Sequence, residues 1–270
     1  MNRPPGFPLP ENDFFPGMTA FLLIPGKFVV PFGYCIRMRD SYIYYPEALS
    51  GQQLDRFLAR GWYRMGQGLF TTHYIIQQAV LYRVYWLRYD LEKVRFGKSR
   101  QKLMSQHKKF TVSVKPVQVS DELEELYALY KSAIPFEPAE SVTQWLFEDR
   151  DSNVFDTECI EVRDGRKLIA AGVYDKGLRS IAGIMNFYHP DYKKYSPGKF
   201  LMLLKTDLAR AAGCRWYYPG YIVQGYPKFD YKLFIDKKAA ELYIPERNGW
   251  QVFDPSLLMQ PGDQPGDWLS

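Results

Sequence analysis

The apolar and polar positions of the first half predict a mixture of short strands and one helix. Residues 21–38 are apolar and interrupted by Pro and Gly, a pattern typical of short strands joined by turns. Ser50 is a candidate N-cap of an amphipathic helix that ends at Gly61, and its apolar face comprises Leu54, Phe57 and Leu58. Residues 63–92 are dense in Tyr, Val and Ile, which favours further strands.

The second half carries clearer signals. Ser120 begins an amphipathic helix with acidic residues in its first turn, where they oppose the helix dipole. The Asp164-Gly165 pair predicts a hairpin between two strands, and a third strand follows. A long helix then runs to Gly213, and residues 214–223 predict one more strand. This order of helix, three strands, helix and strand resembles that of acetyltransferase-like (GNAT-like) α+β domains.

We therefore predict an α+β protein in which a GNAT-like C-terminal domain follows an N-terminal α+β domain. The looser order of the first half is compatible with a degenerate copy of the same fold. In such folds a helix N-terminus beside a splayed sheet can hold an anion, and Ser196 to Lys199 are the candidates. The expected divisions are an extended arm at 1–20, an N-terminal domain at 21–114, the C-terminal domain at 115–254 and a tail at 255–270.

Composition and charge permit a polyanionic partner without requiring one. The chain has 270 residues, 46% of them apolar and 24% charged, with a net charge of +5. The segment Lys93–Phe110 contains seven Lys or Arg residues and no carboxylate. Such a segment is either a set of phosphate contacts or a solvated helix face.

Cysteine usage and hydropathy exclude several classes of protein. Three cysteines lie far apart without a Cys-x-x-Cys pair, so neither a disulfide framework nor a zinc site is predicted. A reducing, cytoplasmic location is the simplest interpretation. There is no apolar run of 18 residues and no signal-peptide pattern, so we expect no membrane partner. We predict no metal and no cofactor.

Five stretches, in this order and spacing, carry a resemblance to a known family. They read LARGWYRMGQGLF, FGKSRQK, KLIAAGVYD, NFYHPDYKKYSPGKFLMLLKTDLARAAG and WYYPGYIVQGYPKFDYK. Together they resemble the aminoacyl-tRNA–protein transferases, namely arginyl-tRNA–protein transferase and its bacterial leucyl relative. The resemblance covers roughly residues 50–250, and its last element is the most specific.

This chain departs from the family pattern at three places. The family carries an N-terminal cysteine cluster proposed to hold a metal or an iron–sulfur centre, whereas only Cys35 is near a suitable place here. Gly97 stands where the basic element has proline, and Gln224, Gly225 and Tyr226 replace the small polar residues before Pro-Lys. We therefore expect a divergent member without a metal-binding cluster.

The resemblance implies that an acceptor protein's α-amine attacks the ester of an aminoacyl-tRNA of the arginyl or leucyl type. The expected product is a protein tagged at its N-terminus, as in N-degron pathways. Asp175, at a strand end, is the first candidate to hold an amine, and an exposed structural aspartate is the alternative. Tyr188, at the end of the next strand, is the second catalytic candidate.

The remaining site predictions concern the two substrates. The expected tRNA contacts are Lys98, Ser99, Arg100, Lys102 and Arg64, since cations suit phosphates. Gln224, Lys228, Tyr231 and Lys232 are expected to bind substrate, either an acidic acceptor residue or the tRNA 3′ phosphate. The alternative is that Tyr231 packs and both lysines are solvated.

The expected partners are aminoacyl-tRNA and acceptor proteins with exposed N-terminal residues, and no stable DNA partner is predicted. Two other functions stay open from the sequence. One is an acyl-CoA-dependent small-molecule N-acyltransferase, although YSPGKF lacks the Gly-rich turn of such enzymes. The other is a non-catalytic module that binds tRNA or N-termini.

Overall fold

The structure is a computed structural model that describes residues 35–38, 41–77, 80–135, 138–148, 150 and 152–258. The predicted arm, the predicted strands before Cys35 and the tail beyond residue 258 lie outside the described residues. Within the described part of the chain, no helix is both long and apolar enough to cross a lipid bilayer.

The described elements mix strands and helices along the whole chain. The strands are β1 (Cys35–Met38), β2 (Ser41–Tyr44), β3 (Tyr63–Met65), β4 (Gly68–Thr72), β5 (Tyr74–Gln77), β6 (Val80–Asp90), β7 (Thr111–Pro116), β8 (Thr157–Asp164), β9 (Lys167–Lys176), β10 (Ser180–Tyr188), β11 (Trp216–Val223), β12 (Ala240–Ile244) and β13 (Gly249–Val252). The helices are α1 (Gly51–Leu58), α2 (Lys98–Gln106), α3 (Asp121–Ser132), α4 (Val142–Phe147) and α5 (Pro197–Ala211). Short 3₁₀ segments include Pro190–Tyr195 and Pro227–Phe234.

A nine-stranded mixed sheet forms the centre of the molecule. Its order is β13-β12-β6-β11-β10-β9-β8-β7, with β5 paired to β6, and β10 and β11 are its parallel pair. A smaller antiparallel sheet has the order β1-β2-β4-β3. The predicted α+β class is confirmed, as is the GNAT-like arrangement, in which a parallel strand pair separates beside the start of a helix.

The large sheet includes strands from both halves of the chain. β6, from the first half, lies between β11 and β12, and the expected boundary at residue 114 falls inside β7. The sheet therefore runs across that boundary. The division into two domains, and the origin of the first half as a degenerate copy, stay predictions.

Helices cover both faces of the large sheet. Ile160 and Val162 of β8 belong to the core cluster that contains α5, whereas Cys159 belongs to the cluster that contains α3. Successive strand residues point to opposite faces, so α3 and α5 pack on opposite sides of the sheet. This arrangement fixes the start of α5 against the ends of β10 and β11.

Local sequence signals were confirmed where they were strong. Ser50 caps α1 in a capping box with Gln53, and the Ser120 side chain caps α3. Gly165, at a φ of 59°, closes the turn between β8 and β9. Of the basic segment, the part from Lys98 to Gln106 is helical.

Candidate active site

β10 and β11 are paired over three residues and then separate. Ser180–Ala182 pair with Trp216–Tyr218. Beyond them, the register of β10 against β9 shifts between Gly183 and Met185. That of β11 against β6 shifts before Gly220, which has a φ of 98°. The irregular strands and the N–H-free Pro219 open a gap in the sheet.

A cavity of about 600 Å³ occupies this gap. The start of α5 contributes Ser196, Gly198 and Lys199 to its wall. Ser196 has a left-handed backbone with a φ of 53°, and no side chain caps the first turn of α5. The positive end of the helix dipole therefore lies at the cavity, where it favours an anionic group.

Most side chains around the cavity are apolar, aromatic or cationic, and Asn186 and Ser196 are its neutral polar members. Apolar contacts come from Phe70, Ile184, Met185 and Met202. The charged residues among the described lining are Arg64, Lys193, Lys199 and Lys232, and none is a carboxylate. The cavity thus carries positive charge that no lining side chain balances.

Arg64 is a buried part of the wall and not a free cation. It is 2% exposed, and its guanidinium donates to five acceptors: Gly66 O, Leu146 O, Asn153 Oδ1, Thr157 Oγ1 and Asp175 Oδ1. A guanidinium has five N–H donors, so none is left for a phosphate. The expectation that Arg64 contacts tRNA is therefore corrected: Arg64 holds β3 to the strand ends of the large sheet.

Asp175 lies behind Arg64 and outside the cavity. Its carboxylate is completely buried, 2.8 Å from Arg64 Nη1 and 2.6 Å from the Thr157 hydroxyl. Burial raises the pKa of Asp175, and the Arg64 charge opposes that effect. The expectation that Asp175 holds an amine directly is corrected, because the carboxylate has no exposed surface. The alternative of an exposed aspartate is wrong for the same reason.

Three of the other expected residues line the cavity: Tyr188, Tyr231 and Lys232. Tyr188 packs edge-on against Tyr130 at 5.3 Å and lies beside Gly198 at the start of α5. Tyr231 is 50% exposed, and burial of its hydroxyl raises its pKa. That hydroxyl therefore stays protonated at neutral pH and can donate a hydrogen bond.

Lys232 is a lysine of the cavity wall whose amine is largely shielded from water. Its Nζ donates to the Tyr221 carbonyl at 2.8 Å and lies about 5 Å from the rings of Tyr221 and Phe229. Burial lowers the pKa of Lys232 to about 7. Both the ammonium and the neutral amine are therefore populated near neutral pH.

Gln224 and Lys228 lie next to the cavity and do not line it. Gln224 follows β11 directly, and its half-buried side chain has no hydrogen bond to Oε1 among the described residues. Lys228 is exposed on the 3₁₀ segment that also carries Tyr231 and Lys232. Their expected contact with substrate therefore stays a prediction.

The basic helix α2 adjoins the cavity mouth. The Arg100 guanidinium lies 4.7 Å above the Phe234 ring and donates to the Phe234 carbonyl, while Lys199 Nζ lies 4.9 Å from the same ring. Lys98, Ser99 and Lys102 are exposed on α2. The structure therefore brings Arg100 close to a lysine of the cavity wall, and three other expected tRNA contacts are exposed on the same helix.

Two residues of the wall region were missed by the sequence analysis, Asn186 and Lys205. Asn186 lines the cavity, and Lys205 is completely buried behind it. A signal was available for Lys205, which lies on the same face of α5 as Leu201 and Ala209, at four-residue spacing. A charged residue on a buried helix face indicates a specific partner. Asn186 had no comparable signal.

The cysteine cluster expected of the family has no counterpart among the described side chains. No group of three His, Cys, Asp or Glu residues in the described ranges comes together as metal ligands. Cys159 is buried, and burial raises the pKa of its thiol to about 11, which disfavours the thiolate that binds metals. These residues do not fit a metal or iron–sulfur centre.

Fold and cavity together describe an α+β protein in which the start of a helix and three lysines face a cavity between two separating strands. The family model described as "Arginine-tRNA-protein transferase, C terminus" matches residues 52–239. Since this match covers more than half of the chain, the chain belongs to the aminoacyl-tRNA–protein transferase family.

Curated relatives carry a more specific name. The chain is 25% identical over 217 residues to an aspartate/glutamate leucyltransferase of Leptospira interrogans, covering 78% of this chain and 82% of the relative. It is 27% identical over 214 residues to that of Shewanella sp. strain MR-4, covering 76% and 83%. Among solved structures, FemX is similar at a TM-score of 0.43 and 11% identity, covering 82% of this chain and 74% of FemX. That similarity is too remote to indicate a function.

Proposed function

We propose that this chain transfers leucine from leucyl-tRNA to the α-amine of proteins that begin with aspartate or glutamate. The observation that carries the proposal is the charge of the cavity, whose described lining contains three lysines and no carboxylate, while the lining Arg64 is already paired with Asp175. The relatives of Leptospira interrogans and Shewanella, both aspartate/glutamate leucyltransferases, support the same choice of donor and acceptor.

The cavity discriminates between arginyl and leucyl donors by charge. An arginyl side chain would bring one more cation into a wall that offers it no carboxylate, which is unfavourable in a partly desolvated site. A leucyl side chain fits against Phe70, Ile184, Met185 and Met202. An acidic acceptor residue would in turn balance the positive charge of Lys193 and Lys199.

The reaction forms one bond and breaks another. The acceptor nitrogen attacks the ester carbonyl carbon, the C–N bond forms, the C–O bond to the terminal ribose breaks, and the ribose hydroxyl leaves protonated. The ester is already activated, and an α-amine has a pKa of about 8, so positioning supplies much of the rate. Lys232, with a pKa of about 7, takes the proton that the attacking nitrogen loses, and this proton ends on the departing ribose oxygen, so that Lys232 is again neutral after the turnover.

The tyrosines of the cavity serve the leaving group and the tRNA end. Tyr188, beside the start of α5, donates a hydrogen bond to the departing ribose oxygen. Tyr231 stacks on a base of the unpaired 3′ end, because its ring is half exposed at the mouth. Asp175 acts only through Arg64, as a positioning residue for the wall.

The tRNA acceptor stem lies along α2. Lys98, Ser99, Arg100 and Lys102 contact its phosphates, and Lys199 continues the positive surface into the cavity. Lys228 and Gln224 contact the acidic side chain and backbone of the acceptor protein. We place this reaction in the cytoplasm, where charged tRNA is available, and the added leucine serves as a degradation signal.

A transfer panel tests the proposal. Labelled arginyl-, leucyl- and lysyl-tRNA are each incubated with peptides that begin with Asp, Glu, Arg or Lys, with Nα-acetylated peptides as controls. We expect leucine on the Asp and Glu peptides alone. Equal transfer of arginine would contradict the donor assignment.

A thermal shift with acetyl-CoA and none with tRNA would favour a small-molecule N-acyltransferase. Binding of tRNA without turnover would favour a non-catalytic module.

A further inference from the structure

Lys205 is completely buried, which lowers the pKa of its amine to about 7, and a full set of acceptors favours its ammonium form. Its Nζ donates to the Val173 carbonyl at 2.7 Å, the Met185 carbonyl at 2.9 Å and Asn186 Oδ1 at 2.8 Å. Three acceptors match the three N–H donors of an ammonium group. This match offsets part of the cost of burying the lysine.

The contact with Lys205 fixes the orientation of the Asn186 amide. An ammonium group has donors and no acceptor, so Asn186 presents its oxygen to Lys205 and turns its NH₂ group the other way. Asn186 is half-buried and lines the cavity. Its Nδ2 makes no hydrogen bond with any residue that the structure describes, which leaves two N–H donors for a ligand.

The backbone around Asn186 is shaped for this contact. The bulge between Gly183 and Met185 precedes Asn186 on β10. Bulges next to active sites re-aim side chains. On the paired strand β9, Gly172 leaves the room, since a Cβ there would lie 3.1 Å from Asn186 Oδ1 and 3.3 Å from Lys205 Cε.

We propose that the Asn186 amide donates a hydrogen bond to the ester carbonyl oxygen of the aminoacyl-tRNA as that oxygen becomes an oxyanion. Lys205 is the positioning residue that holds the amide in the donating orientation. Attack by the acceptor nitrogen moves an electron pair onto the carbonyl oxygen, and collapse of the tetrahedral intermediate returns that pair and expels the ribose oxygen. The inference rests on the proposed acyl transfer.

Two substitutions of Asn186 separate a catalytic role from a structural one. Asn186→Asp keeps an oxygen acceptor for Lys205 and removes the N–H donors, whereas Asn186→Ala removes both. We expect kcat of Asn186→Asp to fall by about 10²–10³-fold, as for the loss of one oxyanion donor. KM for aminoacyl-tRNA should stay within about threefold, because a donor that acts in the transition state changes kcat and not ground-state binding.

A structural role predicts the opposite pattern. If Asn186 only satisfied Lys205, Asn186→Asp would transfer leucine at the wild-type rate and Asn186→Ala would lose thermal stability. That result would overturn the inference. A melting curve of each variant accompanies the single-turnover assay, so that a folding defect is not counted as a loss of catalysis.

A Lys205 substitution tests the positioning step. Lys205→Met leaves the Asn186 amide free to rotate, and we expect kcat to fall by about tenfold with KM retained. If a folded Lys205→Met protein keeps the wild-type kcat, Lys205 is not a positioning residue. If Lys205→Met does not fold, the comparison of Asn186→Asp with Asn186→Ala tests the inference instead. If the wild type transfers leucine and Asn186→Asp is as active as the wild type, only this inference is refuted. Absence of transfer by the wild type from any charged tRNA would refute the proposed function as well.

Discussion

The two ends of the β10–β11 pair handle positive charge in different ways. At the paired end, Arg215 forms ion pairs with Asp90 and Glu92, and Arg88 forms one with Glu241. Both arginines lie over the Trp216 ring, at 5.2 and 3.6 Å from its centroid. At the open end, Lys193, Lys199 and Lys232 line a cavity to which the described chain contributes no carboxylate.

This difference separates structural cations from cations that can bind a ligand. A cation with a carboxylate beside it is already neutralised and gains little from a substrate phosphate. A cation in a desolvated wall without such a partner either loses its proton or binds an anion, as the lowered pKa of Lys232 indicates. Arg64 lines the open end, yet Asp175 places it in the structural group.

The largest effect is expected from breaking the buried pair. Arg64→Met leaves the Asp175 carboxylate buried without its cation, which should lower the free energy of unfolding by about 3–5 kcal/mol. Urea denaturation measures this change. The matched control is Arg215→Met at the paired end, where the loss should be smaller because Lys93 Nζ, 3.1 Å from the buried Asp90 carboxylate, still neutralises it. Full stability of Arg64→Met with weaker tRNA binding would restore the tRNA contact expected from the sequence.

The next largest effect is expected at Lys232. Lys232→Met removes the proposed proton acceptor, and kcat should fall by about 10²-fold, a typical contribution of general base catalysis. The control is Lys237→Met, an exposed lysine of the next 3₁₀ turn, which should keep kcat within about twofold of the wild type. Rates come from single-turnover assays with both substrates saturating. Equal losses in the two variants would mean that charge, and not proton transfer, explains Lys232.

The pH dependence gives a sharper test of the same residue. Burial lowers the pKa of Lys232 to about 7, so the amine is mostly neutral above that pH and mostly protonated below it. The transfer rate at saturating substrates should therefore rise with pH in two steps, one at about pH 7 for Lys232 and one at about pH 8 for the acceptor α-amine, and level off above both. Lys232→Met should lose the lower step and keep the upper one. A wild-type profile that is flat from pH 6 to 8 would count against a proton-accepting lysine.

Lys232 and Arg64 show which parts of the site a sequence can reveal. Lys232, Tyr231 and Tyr188 lie in stretches that resemble a family, and the cavity contains all three. Arg64 was assigned to tRNA because an arginine in a basic context suits a phosphate. Its partner Asp175 is 111 positions away along the chain, and no local pattern shows that the two meet.

The fold divides in the same way. Caps at Ser50 and Ser120 and the turn at Gly165 depend on neighbouring residues, so their elements were predicted. β12, β13 and the short helix α4 were missed, because long-range packing stabilises them more than local propensity does. The four-residue spacing on α5 marks Lys205 as a charged residue on a buried face, but its acceptors at Val173 and Met185 come from two other strands and no local pattern identifies them.

The smallest predicted effect concerns the tRNA surface on α2. Lys98→Glu combined with Lys102→Glu should weaken binding of leucyl-tRNA by about tenfold. The slope of log K against log salt should fall by about one for each phosphate that the variant no longer neutralises. kcat at saturating tRNA should stay unchanged, because neither lysine lines the cavity. The control is Arg179→Glu, the same reversal of charge on an exposed residue at the paired end. Arg179→Glu could weaken leucyl-tRNA binding and lower the salt slope as much as the α2 variant does. In that case the tRNA also contacts the paired end. The contrast between the two ends would then no longer separate structural cations from substrate-binding cations.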